Sequence, residues 1–169
     1  MTREHSKRLE LIALLGAFAL FLSTIEFLIP KPLPFIRLGL ANVPVLVSLE
    51  LFAPQFTLLL VLVKIVGQGL INGTIFSYTF LFSAGGSFAA GLTMIALKKI
   101  GKTRITLVGI SISGALASNI VQLLIAKLLI IGRGALLIAP PFLAIGLVSS
   151  IFLGIFADRV CRHSQWFKN

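Results

Sequence analysis

The sequence predicts an all-α integral membrane protein, a bundle of six transmembrane helices forming a single membrane domain over residues 1–169. Three observations carry this. Hydrophobic residues make up 57% of the 169 and charged residues only 12%, where a soluble domain carries about a quarter charged. The mean hydropathy is +1.06. Apolar runs of the roughly 18 residues or more that a helix needs to cross hydrocarbon recur along the chain.

The elements follow in order. The first run, 9–29, is long, lacks a small-x-small cleavage site and is succeeded by comparable runs, so it reads as a span rather than a signal peptide. "PKPLPFIR" (30–37) carries three prolines in eight residues, a stiff extended loop that no helix can continue through. Span 2, 38–52, would reach only about 22 Å. It is therefore bordered by a partly buried loop or does not cross fully. Within it Pro44 lacks a backbone donor, and a kink there beside Asn42 would expose carbonyls. Span 3 covers 56–71, after Pro54, and span 4 covers 75–97. Span 5, 105–130, is longer than a perpendicular crossing needs and should tilt or project. Span 6 is 135–157. Irregular backbone at membrane depth must be buried or line a cavity. Its best places are 30–43 and "SAGGSFAAG" (83–91).

Six crossings put both termini and the 98–104 loop on one side, with ten of the fifteen Lys and Arg residues. The other side holds only Lys31, Arg37 and Arg133. By the positive-inside rule both termini face the cytoplasm. The net charge of +10 is thereby an orientation signal and an attraction to anionic membrane lipid, with no need for nucleic acid. Cys161 is the lone cysteine, which rules out an intrachain disulfide and a CxxC metal site. His5 and His163 lie in the tails and read as solvated.

Polar residues inside the layer are the candidate site. Lys64, Gln68 and Asn72 are spaced i, i+4, i+8 and form a stripe on span 3. A charge at that depth points into the bundle or a wet cavity. Two readings of Lys64 stand: a cavity wall, or a structural lysine that pairs with Glu50 or Glu26 or snorkels outward. On span 5, Asn119 and Gln122 share a face and suit either interhelical hydrogen bonds or a ligand, while Lys127 is placed to snorkel. The chain has no aspartate-rich diphosphate motif, HExxH, GxSxG or Walker A sequence. No catalytic residue, metal or cofactor is expected, nor an ATP site of its own. Small residues cluster at Ala13, Gly16 and Ala17 in span 1 and at Gly85, Gly86, Ala89, Ala90 and Gly91 in span 4, surfaces that let helices approach closely. Spacing leaves open whether the helix that approaches belongs to this chain or to another protein.

The runs "RLGLANVPVLVSLELFAP", "VKIVGQGLINGTIFSYTFLFSAGGSFAAG" and "SGALASNIVQ" resemble the small bacterial membrane family called the Gx transporter family, also labelled heptaprenyl diphosphate synthase component I. That family is similar to the substrate-binding S components of energy-coupling factor transporters. The resemblance implies an S-component-like bundle in the bacterial inner (cytoplasmic) membrane, with a capped outward pocket for a small molecule. It also implies a membrane coupling protein with separate ATPase subunits as partner, docking on an Ala-x-x-x-Ala surface that Ala13 and Ala17 match. The pocket is expected from Arg37, Asn42, Lys64, Gln68, Asn72, Asn119 and Gln122, for a small anionic or amphiphilic substrate. The alternative is an accessory membrane subunit in prenyl diphosphate or quinone biosynthesis, and a third class is a purely structural membrane scaffold.

Overall fold

The structure, a computed structural model, describes residues 3–30, 38–101 and 104–163, with side chains from Leu9 onward other than that of Arg133. Helix α1 spans Arg3–Leu28, α2 Val43–Leu51, α3 Pro54–Ile71, α4 Tyr78–Gly101, α5 Leu107–Leu129 and α6 Ala135–His163. Single 3-10 turns, Leu40–Asn42 and Gly132–Gly134, lead into α2 and α6. Five helices are long and apolar enough to cross a membrane. Their outer faces present large apolar side chains, with Phe21, Leu70, Leu137 and Phe152 each more than half exposed. Water would oppose such a surface, whereas lipid tails are as apolar as the side chains that meet them. This is an all-α membrane protein.

The remaining helix, α2, is built differently. Its nine residues reach about 14 Å, too short to cross as a helix alone, and the 38–42 segment ahead of it completes the passage from the end of α1 to the end where Glu50 meets Lys98. Val43 through Leu49 are all buried, because α2 touches each of the other five helices. Around it, α5 lies along both α4 and α6, and α3 links α4 to α1. The core where they meet holds Leu46, Leu60, Val61, Met94 and Ile110. Pro44 sits in the first turn of α2, where the amide hydrogen it lacks would have had no intrahelical acceptor. The kink expected beside Asn42 is therefore a helix start. The chain enters through Gly39, whose φ of 82° is a left-handed conformation that a side chain would strain.

The segment 83–91, expected to be irregular, is helical throughout. Its small residues serve close packing: a methyl added to Gly91 would lie 2.8 Å from Val61 of α3. Helices α5 and α6 approach as closely at Gly154, where an added methyl would stand 2.8 Å from the Val108 Cα. Near that contact the Ser111 hydroxyl donates to the Ser150 carbonyl at 2.8 Å. Helices α1 and α6 run past the apolar limits read from the sequence, beginning at Arg3 and ending at His163. Adding a residue to a formed helix costs little, and polar side chains there can reach water.

The two ends of the bundle differ. At one, Glu50 of α2 pairs with Lys98 of α4, and Phe52 meets Phe56 edge to face across the α2–α3 turn. The opposite end carries the close of α1, the 38–42 segment and the α3–α4 turn.

Candidate functional site

Glu26, near the end of α1, is buried. One carboxylate oxygen accepts from the Gly39 amide at 3.0 Å and the other from the Leu40 amide at 2.9 Å. These amides open the turn that leads into α2, so a carboxylate from another helix caps donors with no partner inside their own. The negative charge also suits the positive end of the helix dipole. Glu26 was expected only as a partner for Lys64. Its place as the one carboxylate in its half of the sequence pattern was the available signal.

Lys64 is 3% exposed, so it does not snorkel. Its ammonium donates to the Asn42 Oδ1 at 2.5 Å, joining α3 to the entry of α2. Glu50, one of the partners considered for it, pairs instead with Lys98 at the other end of the bundle. Lys64, Asn42, Glu26 and Asn119 together line a cavity of about 30 Å³. Ser87 of α4, Ala115 and Ser118 of α5, Gly146 and Ser149 of α6, and Leu38, Gly39 and Ala41 also line it. Lys64 is thus both hydrogen-bonded within the protein and part of a cavity wall.

The other expected residues divide. Gln68 accepts from the Ser23 hydroxyl at 2.8 Å and donates to the Ser83 hydroxyl, tying α3 to α1 and α4. Gln122 donates to Ser118 at 3.0 Å, while its buried Oε1 has no partner. A methyl on Gly86 would lie 2.7 Å from the Ser118 hydroxyl, so this glycine makes room for the pair. Asn119 is 4% exposed, and its Nδ2 has no hydrogen-bond partner. Its amide lies against Gly146, where an added methyl would collide with it. Asn72 is half-buried at the end of α3 and lines neither cavity nor cleft. There the Thr74 amide bonds to the Gly69 carbonyl and the Gly73 amide to that of Leu70, with Gly73 at φ 63°. That is a helix-ending Schellman turn. Arg37 lies outside the described residues. Lys127 is exposed, as snorkelling requires.

A larger cleft of about 590 Å³ lies at the same end of the bundle. Ser23, Glu26, Thr74, Ser77 and Thr79 supply its polar lining, and Phe27, Leu28, Ile29 and Pro30 its apolar lining. Glu26 borders both the cleft and the small cavity. Among the described residues no three His, Cys, Asp or Glu side chains gather as a metal site would need. Among the described residues the small cavity brings together one ammonium, one carboxylate, two amides and several hydroxyls.

A family profile described as "Heptaprenyl diphosphate synthase component I" matches residues 15–160. The chain belongs to this family. The match takes in Glu26, Asn42, Lys64, Asn119 and Gly146, so the cavity lies within the part that defines a heptaprenyl diphosphate synthase component I family member. It begins two residues after Ala13. No curated protein and no solved structure matches this family member significantly.

Proposed function

We propose that the protein is the substrate-binding membrane subunit of an energy-coupling factor-type uptake transporter for a small, anionic or amphiphilic molecule. The observation that carries this reading is the buried polar cavity of Glu26, Asn42, Lys64 and Asn119 beside a cleft of about 590 Å³. That cleft is within the usual size of small-molecule sites. Intramembrane ionisable residues facing a cavity are a common mark of a substrate path. In this reading both termini are cytoplasmic, the membrane is the bacterial inner one, and the cleft opens outward.

A second feature supports a partner. Ala13 and Ala17 are exposed on α1, while Gly16 between them is buried and turned toward Leu60 and Val63 of α3. The helix contact inside the bundle therefore uses Gly16 and leaves the alanine pair facing outward. Small residues on an outward face admit the close approach of another membrane helix. A coupling protein with its separate ATPase subunits is the partner proposed for that face.

The family's description as a component I favours a second reading, an accessory membrane subunit in prenyl diphosphate or quinone production. Co-expression with a coupling module separates the two. The protein is expected to co-purify with it, and A13L/A17L is expected to lose the complex while keeping the thermal midpoint of the parent. Failure of the unmodified protein to co-purify, with chain elongation detected alongside a soluble partner, would put the second reading first.

A further inference from the structure

We propose that the groove between α1 and α6 is a lipid site, which takes one acyl chain of an anionic phospholipid whose phosphate meets Arg159. This goes beyond the binding-subunit reading and holds whatever the cleft takes up.

The groove follows from the shortness of α2. Helices α1 and α6 each pack against α2 and scarcely touch one another. Between them a groove of about 380 Å³ is left. Leu14 and Phe18 of α1 stand exposed on one side and Phe156 and Val160 of α6 on the other, with the buried Pro44 and Val47 of α2 at the bottom. Among the described residues every side chain that lines it is apolar.

An apolar recess offers water no hydrogen-bond partner. Inside a membrane that leaves another helix or a lipid chain to cover it. One turn of helix with its side chains occupies roughly 400–600 Å³. The groove is smaller than that, so a partner helix would reach into it only with a side chain. An acyl chain is narrow and flexible enough to lie along it, and lipid tails are already the surrounding medium.

Charge selects among lipids. Cys161, next to Val160, lies within electrostatic reach of Glu50 and Lys98, which places this part of the groove at their end of the bundle. On α6, Arg159 and His163 follow Phe156 at i+3 and i+7 and continue the same helix face. Arg159 is exposed and makes no ion pair among the described residues, while Asp158 is taken by Arg162 and Glu50 by Lys98. On α1, the turns before Leu14 carry Arg3, Lys7 and Arg8 against Glu4 and Glu10. The sum of these charges is positive whichever of them pair. A guanidinium can hold a phosphate through two parallel hydrogen bonds. A zwitterionic lipid brings the same phosphate with a cation attached, which a basic surface attracts far less than a net anion.

The test uses the full-length protein, stripped of lipid in detergent and titrated with dioleoylphosphatidylglycerol or dioleoylphosphatidylcholine. Native mass spectrometry counts the bound lipid. Phosphatidylglycerol is expected to bind the more tightly. R159Q should weaken it about fivefold and leave phosphatidylcholine unchanged, as the loss of one basic group near a membrane surface implies. L14W, at an exposed position of the wall, should weaken both lipids by filling the groove, and V160F provides a second reading should L14W fail to fold. Equal affinities for the two lipids in the parent would overturn the anionic head. Parent-like binding of both lipids by L14W and V160F would overturn the groove itself. A benzophenone amino acid in place of Phe156, irradiated in native membranes, tests the other occupant. A product heavier by one phospholipid supports the proposal, and one heavier by a protein overturns it in favour of a partner helix. None of these measurements depends on the cleft or on a coupling module, so the binding-subunit reading stands or falls separately.

Discussion

Gln68 and Asn119 are carboxamides sealed inside the same bundle, on α3 and α5, and their surroundings differ. Gln68 has a hydroxyl on each side, accepting from Ser23 and donating to Ser83. Asn119 is almost as deeply buried, yet its Nδ2 meets no acceptor. The first is held between neighbouring helices, and the second faces a cavity beside an ammonium and a carboxylate. Buried amides at membrane depth therefore do not form one class. Which hydrogen bonds are already made separates a structural amide from a candidate for recognition.

The largest effect is expected where the structural pattern is most complete. Glu26 resembles Gln68 in being fully engaged, with a backbone amide on each oxygen. E26A should cost about 4 kcal/mol, because two charge-assisted bonds are lost and their donors are left without a partner. It should be read as a fall in thermal midpoint in detergent. An unchanged midpoint would show that the 38–42 segment does not depend on this cap.

Next comes the satisfied amide itself. Q68L should destabilise by about 2 kcal/mol, since it strands the Ser23 and Ser83 hydroxyls in a low-dielectric interior. N119L should shift stability by less than about 1 kcal/mol, because it removes a polar group that has no protein partner to strand. Parallel thermal melts of the two variants decide the matter. Equal losses would erase the distinction between the residues.

The smallest effect is the most specific. G146A places a methyl against the Asn119 amide and should cost about 1–2 kcal/mol by overpacking. In N119A the same methyl has room, so the double variant should recover most of that loss. A double-mutant cycle on thermal midpoints measures the coupling. Additive losses would mean that Gly146 does not seat Asn119.

Much of the fold was legible in the chain. Long apolar runs have few stable solutions in lipid, since every backbone group must be satisfied within its own helix. That constraint made α1, α3, α4, α5 and α6 readable from length and hydropathy, to within a few residues at most ends. Proline chemistry located the break after α1, and shortness singled out span 2. The residues of the site were harder to sort. Asn42, Lys64 and Asn119 were picked out as costly polar groups at depth and do meet at one cavity. Asn72, chosen by the same i+4 spacing, caps a helix end instead, because the helix stops there and Gly73 turns the chain away. Spacing along one helix shows which residues share a face, but not how far the helix continues or what that face meets.

By itself, then, the sequence determined that this is a helical membrane protein and which polar residues its interior has to accommodate, because the cost of exposing them to lipid depends on composition and local order alone. Tertiary structure decided what each of them does. It set Glu26 over the start of α2, thirteen residues away in the chain, and sent Glu50 to Lys98, forty-eight away. It gave Gln68 two hydroxyls and left the Asn119 Nδ2 none. Hydrogen bonds act over about 3 Å, and only the packing of the six helices brings the right groups within that reach.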